Sequence, residues 1–165
     1  MKSPKLLGIA MGGVLAIAAM MPLARADEWN QATKLTFDQS FEVPGLSLPA
    51  GTYWFKVPDS SSGRKIVQIY NSDRSEMITQ LPSIATERVT PTDRPELSFA
   101  EAFAQHSPLL LTWFYPDRTI GHEFVYPSRL EREISEQPVV VVDAHRSASG
   151  GYRASLRSAY PRVGD

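Results

Sequence analysis

The chain predicts an all-β domain: an antiparallel β-sandwich, Ig-like or related, with one short C-terminal helix. Three observations carry that prediction. Apolar residues recur with period two, clusters of Gly, Pro, Asn and Asp punctuate them, and the resulting segments return roughly every 8–15 residues. Strands are not interleaved with long helical patterns, so parallel βαβ units are not expected.

The elements follow in order. Ala32 to Phe37 and Phe41 to Val43 read as short opening strands, and Pro44-Gly45 turns the chain. Leu48-Pro49-Ala50-Gly51 is a second turn, in which Pro49 presets φ and Gly51 is expected to adopt a backbone geometry closed to other residues. Thr52 to Val57 is dense in β-formers, Pro58 to Gly63 is a polar hairpin loop, and Lys65 to Tyr70 is the return strand. After the turn at Asn71-Ser72-Asp73, Met77 to Val89 is longer. Pro82 either divides it or sets an edge position. Thr90 to Pro95 is a loop. Glu96 to Phe103 alternates as a strand, although its alanines also suit a short helix. Leu109 to Tyr115 reads as a core strand, and Pro116-Asp117 turns it back into Gly121 to Tyr126.

Ser128-Arg129-Leu130-Glu131 after Pro127 has the form of a capping box, predicting a helix near 128–137 that Pro138 ends. Val139, Val140, Val141 and Val142 form an apolar, strand-like run. Beyond Asp143 periodicity is lost, so residues 144–165 are expected to be a disordered basic tail, and residues 27–143 the domain proper.

Residues 1–26 read as a secretory signal peptide. Lys2 and Lys5 form the positive end, Leu6 to Met21 the apolar stretch, and Ala24-Arg25-Ala26 a small-x-small cleavage signal. The expected location is therefore periplasmic or extracellular, with no stable membrane span after cleavage. The chain has no cysteine, which excludes a disulfide framework, a thiol nucleophile and a lipidated N-terminal cysteine. Stability must come from apolar packing, helped by 13 prolines that restrict the unfolded chain. Removal of Lys2, Lys5 and Arg25 leaves acids in excess of bases, which argues against nucleic acid as the partner.

The string Leu48-Pro49-Ala50-Gly51-Thr52-Tyr53, the segment Val67-Gln68-Ile69-Tyr70-Asn71 ahead of Asp73, Trp113-Phe114-Tyr115-Pro116, and Gly121-His122-Glu123-Phe124-Val125-Tyr126-Pro127 stand together over roughly residues 28–135. In these the chain resembles a group of small exported bacterial proteins with an LPAGTY … WFYP … GxEFVYP pattern. Its first half is similar to a broader β family with an LPAGxY … N-x-D hairpin. The resemblance implies a β fold and carries over no activity, cofactor or catalytic residue.

Candidate chemistry is sparse. His106, His122 and His145 have no HExxH or H-x-H spacing, and His122 and Glu123 would point to opposite faces of a strand. No G-x-S-x-G elbow or S-x-x-K box occurs. Glu87, Glu96, Glu101 and Glu123 lie on predicted strands, where a solvated face explains them as well as a glycosidase pair does. No metal or cofactor is expected. Aromatic residues crowd three strands. One face of each must be core, so Trp54, Trp113 and Tyr115 are either packed or form an apolar platform for a glycan or partner protein. The valine run Val139–Val142 either completes the domain's own edge or adds a strand to a partner's sheet. Arg146, Arg153, Arg157 and Arg162, with Tyr152 and Tyr160, give the tail its basic character.

The expected function is a non-enzymatic exported binding or structural module of the cell envelope, with an envelope protein or glycan as partner. The alternatives are a secreted hydrolase with an acid pair or scattered triad, and a small outer-membrane β-barrel.

Overall fold

Alternate burial along Ala32–Phe37, where Thr33, Leu35 and Phe37 point inward, sets the pattern for the whole molecule. The computed structural model describes residues 32–58 and 65–159. The expected leader and most of the loop after Pro58 lie outside the described residues. The described strands are β1 (Ala32–Phe37), β2 (Phe41–Val43), β3 (Leu46–Leu48), β4 (Gly51–Lys56), β5 (Lys65–Tyr70), β6 (Met77–Glu87), β7 (Glu96–Ala100), β8 (Leu109–Phe114), β9 (Ile120–Phe124), β10 (Val139–Asp143), β11 (His145–Arg146) and β12 (Tyr152–Ala154). Helix α1 (Ser128–Ser135) precedes β10, and the single turn α2 (Leu156–Ala159) follows β12.

The fold is all-β and sandwich-like. Its strand order is β10-β7-β8-β9-β6-β5-β4-β1-β12-β11, with the β2–β3 hairpin joined to β8. Pairing is antiparallel apart from β1–β12 and the short β2–β8 contact, so the sheet is mixed. The two ends of the order are successive pieces of one extended segment, β10 and β11, separated by Ala144 alone. Ala144 is fully buried, and its N–H donates to the Pro95 carbonyl at 2.9 Å. Such a strand, paired first on one side and then on the other, forms a sandwich corner. The facing halves meet through rings: Phe55 and Trp113 are 5.6 Å apart, and Phe99 lies 6.4 Å from Phe37 and 6.2 Å from Phe41. Edge-on ring contacts of this kind add to the area burial that holds a cysteine-free core together.

Several boundaries differ from the sequence reading, each for a local reason. Gly45, at φ +80, makes a tight turn that lets Leu46–Leu48 pair back on Phe41–Val43, adding a strand where only turns were expected. Gly51 does not have a left-handed backbone; it is a strand residue opposite Phe37. The LPAGTY turn is closed instead by the Tyr53 hydroxyl, which donates to the Pro49 carbonyl at 2.8 Å. β6 runs unbroken through Pro82, because the strand changes partners there: β5 pairs it as far as Ser83 and β9 takes over from Ser83. β7 stops at Ala100, and Ala104, at φ +50, turns the chain so that the His106 N–H reaches the Phe103 carbonyl at 2.8 Å.

The capping box does not form. Ser128 is the first helical residue, Pro127 holds the extended entry position, and no side chain caps α1. The helix ends at Ser135, short of the expected 137, and the Gln137 N–H closes on Ile134. The predicted disordered tail is corrected through residue 159. Ser147 and Gly151 close a turn that folds β12 back on β11, and β12 pairs in parallel with β1. A Cβ on Gly151, at φ +78, would come within 2.7 Å of the Lys34 carbonyl, so the close approach of this turn to β1 requires glycine. Asp38 then accepts from the Ser155 hydroxyl and the Leu156 N–H, and fully buried Leu156 anchors α2. Residues 160–165 lie outside the described residues.

No described helix is long and apolar enough to cross a membrane.

Candidate functional site

Strand parity decides which side chains the sheet offers outward. Leu35, Tyr53, Phe55, Val67 and Ile69 point into the core, so Lys34, Thr36, Thr52, Trp54, Gln68 and Tyr70 point away from it. Register then sorts them into rows. Lys34, Trp54 and Tyr70 face one another across β1, β4 and β5, and Arg153, Thr36 and Thr52 form a parallel row on β12, β1 and β4. A third row runs from Lys56 through Gln68 to Gln80, of which Lys56 is buried. Hydrogen bonds fix the polar members: the Gln68 amide donates to Gln80 at 3.2 Å, the Tyr70 hydroxyl donates to Gln68 at 3.1 Å, and Thr36 and Thr52 hydroxyls meet at 2.9 Å.

The turn from β5 to β6 overhangs these rows. Trp54 Nε1 donates to the Ser72 carbonyl at 3.1 Å, and the Arg74 guanidinium lies 4.3 Å from the Trp54 ring centroid. Arg74 has φ 66, a left-handed conformation unusual for a residue with a Cβ. Asp73 stabilises the turn by accepting from the Ser75 N–H and hydroxyl, and these bonds hold its carboxyl below the usual range. The Asn71 side-chain oxygen accepts from the Glu76 N–H.

Of the three aromatic residues singled out in the sequence, Trp54 is on this outer surface, half-buried. Trp113 is not available as a platform. It is fully buried, packed on Phe55 and stacked on His122 at 5.6 Å, because its position in β8 faces the opposite half of the sandwich. Tyr115 follows Trp113 at 6.4 Å and is partly buried at the end of the core, well separated in strand order from Trp54. Val139 to Val142 pair with Ala100 to Leu97, so the run extends this domain's own sheet, with Val139 and Val141 exposed outward and α2 packed close to β10.

Two other polar groupings are present. α1 stands over the outer face of β7, β8 and β9, leaving a groove of about 550 Å³ with Glu123, Thr112 and Ser98 on its floor and Glu131 and Ile134 on the helix side. The Ser98 and Thr112 hydroxyls bond to each other at 2.6 Å. On the far side of α1, His106 Nδ1 lies 2.7 Å from Glu42 Oε2, and Glu42 Oε1 accepts from the Ser107 N–H. As expected, His122 and Glu123 take opposite faces. His122 Nδ1 lies 3.1 Å from the Ser83 hydroxyl on the inner side. Glu87, Glu96, Glu101 and Glu123 are not registered opposite one another, and Glu96 is engaged by Arg88 at 3.5 Å. Arg94 Nη1 lies 3.0 Å from His145 Nδ1. Among the described residues no three His, Asp or Glu side chains converge as a metal site.

Sequence reasoning missed Tyr70 and Arg74 as companions of Trp54, and Glu42 as the partner of His106. The first pairing depends on hairpin register, which the loop's composition does not specify. The second joins residues 64 positions apart. Compared with protein-family models, with curated proteins and with solved structures, the chain matches none.

Proposed function

We propose that the chain is a non-enzymatic, exported binding module of the cell envelope, and that its ligand is a glycan laid across the outward rows of β1, β4 and β5. The observation that carries this reading is the direct cross-strand placement of Trp54 and Tyr70 on the side away from the core. Both rings are partly exposed, and the neighbouring Gln68, Gln80, Thr36 and Thr52 supply donors and acceptors already positioned by their mutual bonds. A sheet face of that kind suits a polymer with alternating C–H faces and hydroxyls. The same residues argue against a transmembrane barrel, which needs an outward apolar band where this surface has Lys34, Thr36, Gln68 and Gln80.

Purified residues 27–165 should be retained by insoluble envelope polysaccharide, and the double variant Trp54→Ala, Tyr70→Ala should be released. Equal retention of the double variant would sink the proposal.

A hydrolase is the second reading, favoured by the Ser83–His122 contact. Turnover of any substrate in a broad hydrolytic panel, abolished by His122→Ala or Glu123→Ala, would establish it in place of the first.

A further inference from the structure

On the β10-β7-β8-β9-β6 half of the sandwich, strand register lays one row across the outer face. Val141, Ser98, Thr112, Glu123 and Ile84 stand side by side on successive strands. Val141 and Ile84, at the two ends, are more than half exposed, whereas α1 stands over the middle. The groove beneath it, about 550 Å³, has the volume of a small-molecule site. Its two carboxylates come from opposite walls, Glu123 from β9 and Glu131 from α1, and Leu111, Ile134 and Val139 add apolar lining.

The cations nearby are turned elsewhere. Arg88, farther along the same face, is 3.5 Å from Glu96 and lies over the Phe114 ring. Arg129 pairs with Glu133 at 3.6 Å on the side of α1 that faces His106. Arg132 is exposed and stands about 200° around the helix from buried Ile134. Among the described residues, neither Glu123 nor Glu131 has an ion pair or a side-chain hydrogen bond. On the floor, the Ser98 and Thr112 hydroxyls bond only to each other, at 2.6 Å, and Ser98 is 9 % exposed. That pair keeps lone pairs for a donor entering the groove and has one uncommitted hydroxyl proton. The side-chain lining is therefore rich in acceptors, negatively charged and apolar in between.

We propose that this groove is a binding site, independent of the glycan reading, and that it takes an aliphatic polyamine. A primary ammonium group brings three donors and no acceptor, the complement of this lining. One ammonium meets Glu123 beside the hydroxyl pair, another meets Glu131, and the methylenes between them lie along Leu111, Ile134 and Val139. Neutralising both walls also relieves the repulsion between carboxylates that share one groove. A compact inorganic cation leaves the apolar lining wet, and a neutral sugar leaves the carboxylates uncompensated.

Titration calorimetry of the purified protein with spermidine, methylammonium and magnesium chloride at low salt tests this. Spermidine should bind about tenfold or more tightly than either of the others and should raise the melting temperature. Glu123→Gln and Glu131→Gln should each weaken spermidine about tenfold. Both replacements are isosteric and at exposed positions, so unchanged melting curves without ligand would show that folding is intact. Glu87→Gln, which removes an exposed carboxylate outside the groove, should leave spermidine binding as it was, and so should the double variant Trp54→Ala, Tyr70→Ala. Equal loss from Glu87→Gln, or displacement of spermidine by an equal concentration of magnesium, would overturn the inference in favour of a general acidic surface. Spermidine binding that survives both groove variants would overturn it as well. Either failure leaves the glycan reading standing, because polysaccharide retention is measured through different residues on the other half of the sandwich.

Discussion

Trp54 and Tyr70 stand directly opposite one another on β4 and β5, on the side of the sheet that Phe55 and Ile69 turn away from. Their roles in stability and in binding should therefore separate from those of Trp113, which is fully enclosed. Trp113→Ala removes a core ring and should cost about 3–5 kcal/mol. Trp54→Ala loses a half-buried ring, the Ser72 bond and the Arg74 stack, and should cost clearly less. Chemical denaturation of the two variants checks the order. A reversed ranking would mean that Trp54 is the structural residue of the pair.

The ring of Phe114 lies where a side chain at position 121 would be. A Cβ added to Gly121 would come within 2.5 Å of it, and the Arg88 guanidinium lies over the same ring, 5.0 Å from its centroid. Arg88 is itself held by bonds to the Arg118 and Tyr115 carbonyls and to Thr92. The ring has little room to give, so Gly121→Ala should destabilise by about 1–3 kcal/mol. The companion change Phe114→Leu should recover part of that loss in the double variant. Urea midpoints of the four proteins measure the coupling, and strict additivity would show that the two positions do not clash.

What the sequence conveys about this fold is its local chemistry. Period-two runs such as Lys65–Tyr70 and Leu109–Phe114 declare themselves because each buries a full face of branched or aromatic side chains. β11 and β12 are two and three residues long, too short to show a period. They exist because β1 offers β12 a partner strand and Gly151 permits the approach. The outward face was hidden for a related reason. A hairpin symmetric about the polar loop Pro58–Gly63 would put Trp54 opposite Val67, whereas the observed register puts it opposite Tyr70. An odd shift of that kind exchanges the two faces, and only the packed core of both strands decides between them. Trp113 was legible as an aromatic strand residue, but the side it would occupy depended on a facing sheet that the sequence does not display.

Acid should loosen the β5–β6 turn before it unfolds the sheet. The Ser75 bonds to Asp73 lower its pKa in the folded chain, so the stability they contribute is present above the ordinary aspartate value. It is lost as pH falls through the lowered one. Amide hydrogen exchange at Ser75, whose N–H donates to this carboxylate, should accelerate selectively over that acid interval once corrected for the intrinsic pH dependence. Asp73→Asn should show the faster exchange already at neutral pH. Protection of Ser75 that is indifferent to both changes would mean the carboxylate does not hold the turn.

Alkali should act through Tyr126. Its hydroxyl donates to the Leu110 carbonyl at 2.8 Å, and burial, reinforced by the charge of Glu42, pushes its pKa well above the ordinary tyrosine value. Below that ordinary value, near pH 10, the phenol is neutral in both folded and unfolded chains, and the full stabilisation is present. As pH rises further the unfolded chain loses the proton while the folded chain keeps it, so stability should fall by about 1.4 kcal/mol per pH unit from this group. Tyr126→Phe removes the titration and leaves the Leu110 carbonyl without its donor. The variant should therefore be less stable by about 1–3 kcal/mol at neutral pH, yet lose less on going to pH 11. Tyr53 is raised by burial as well, so some alkaline slope will persist in the variant. Denaturation at pH 7, 9 and 11 separates the two contributions. Parallel curves for wild type and Tyr126→Phe would show that the buried phenol does not govern the alkaline limb.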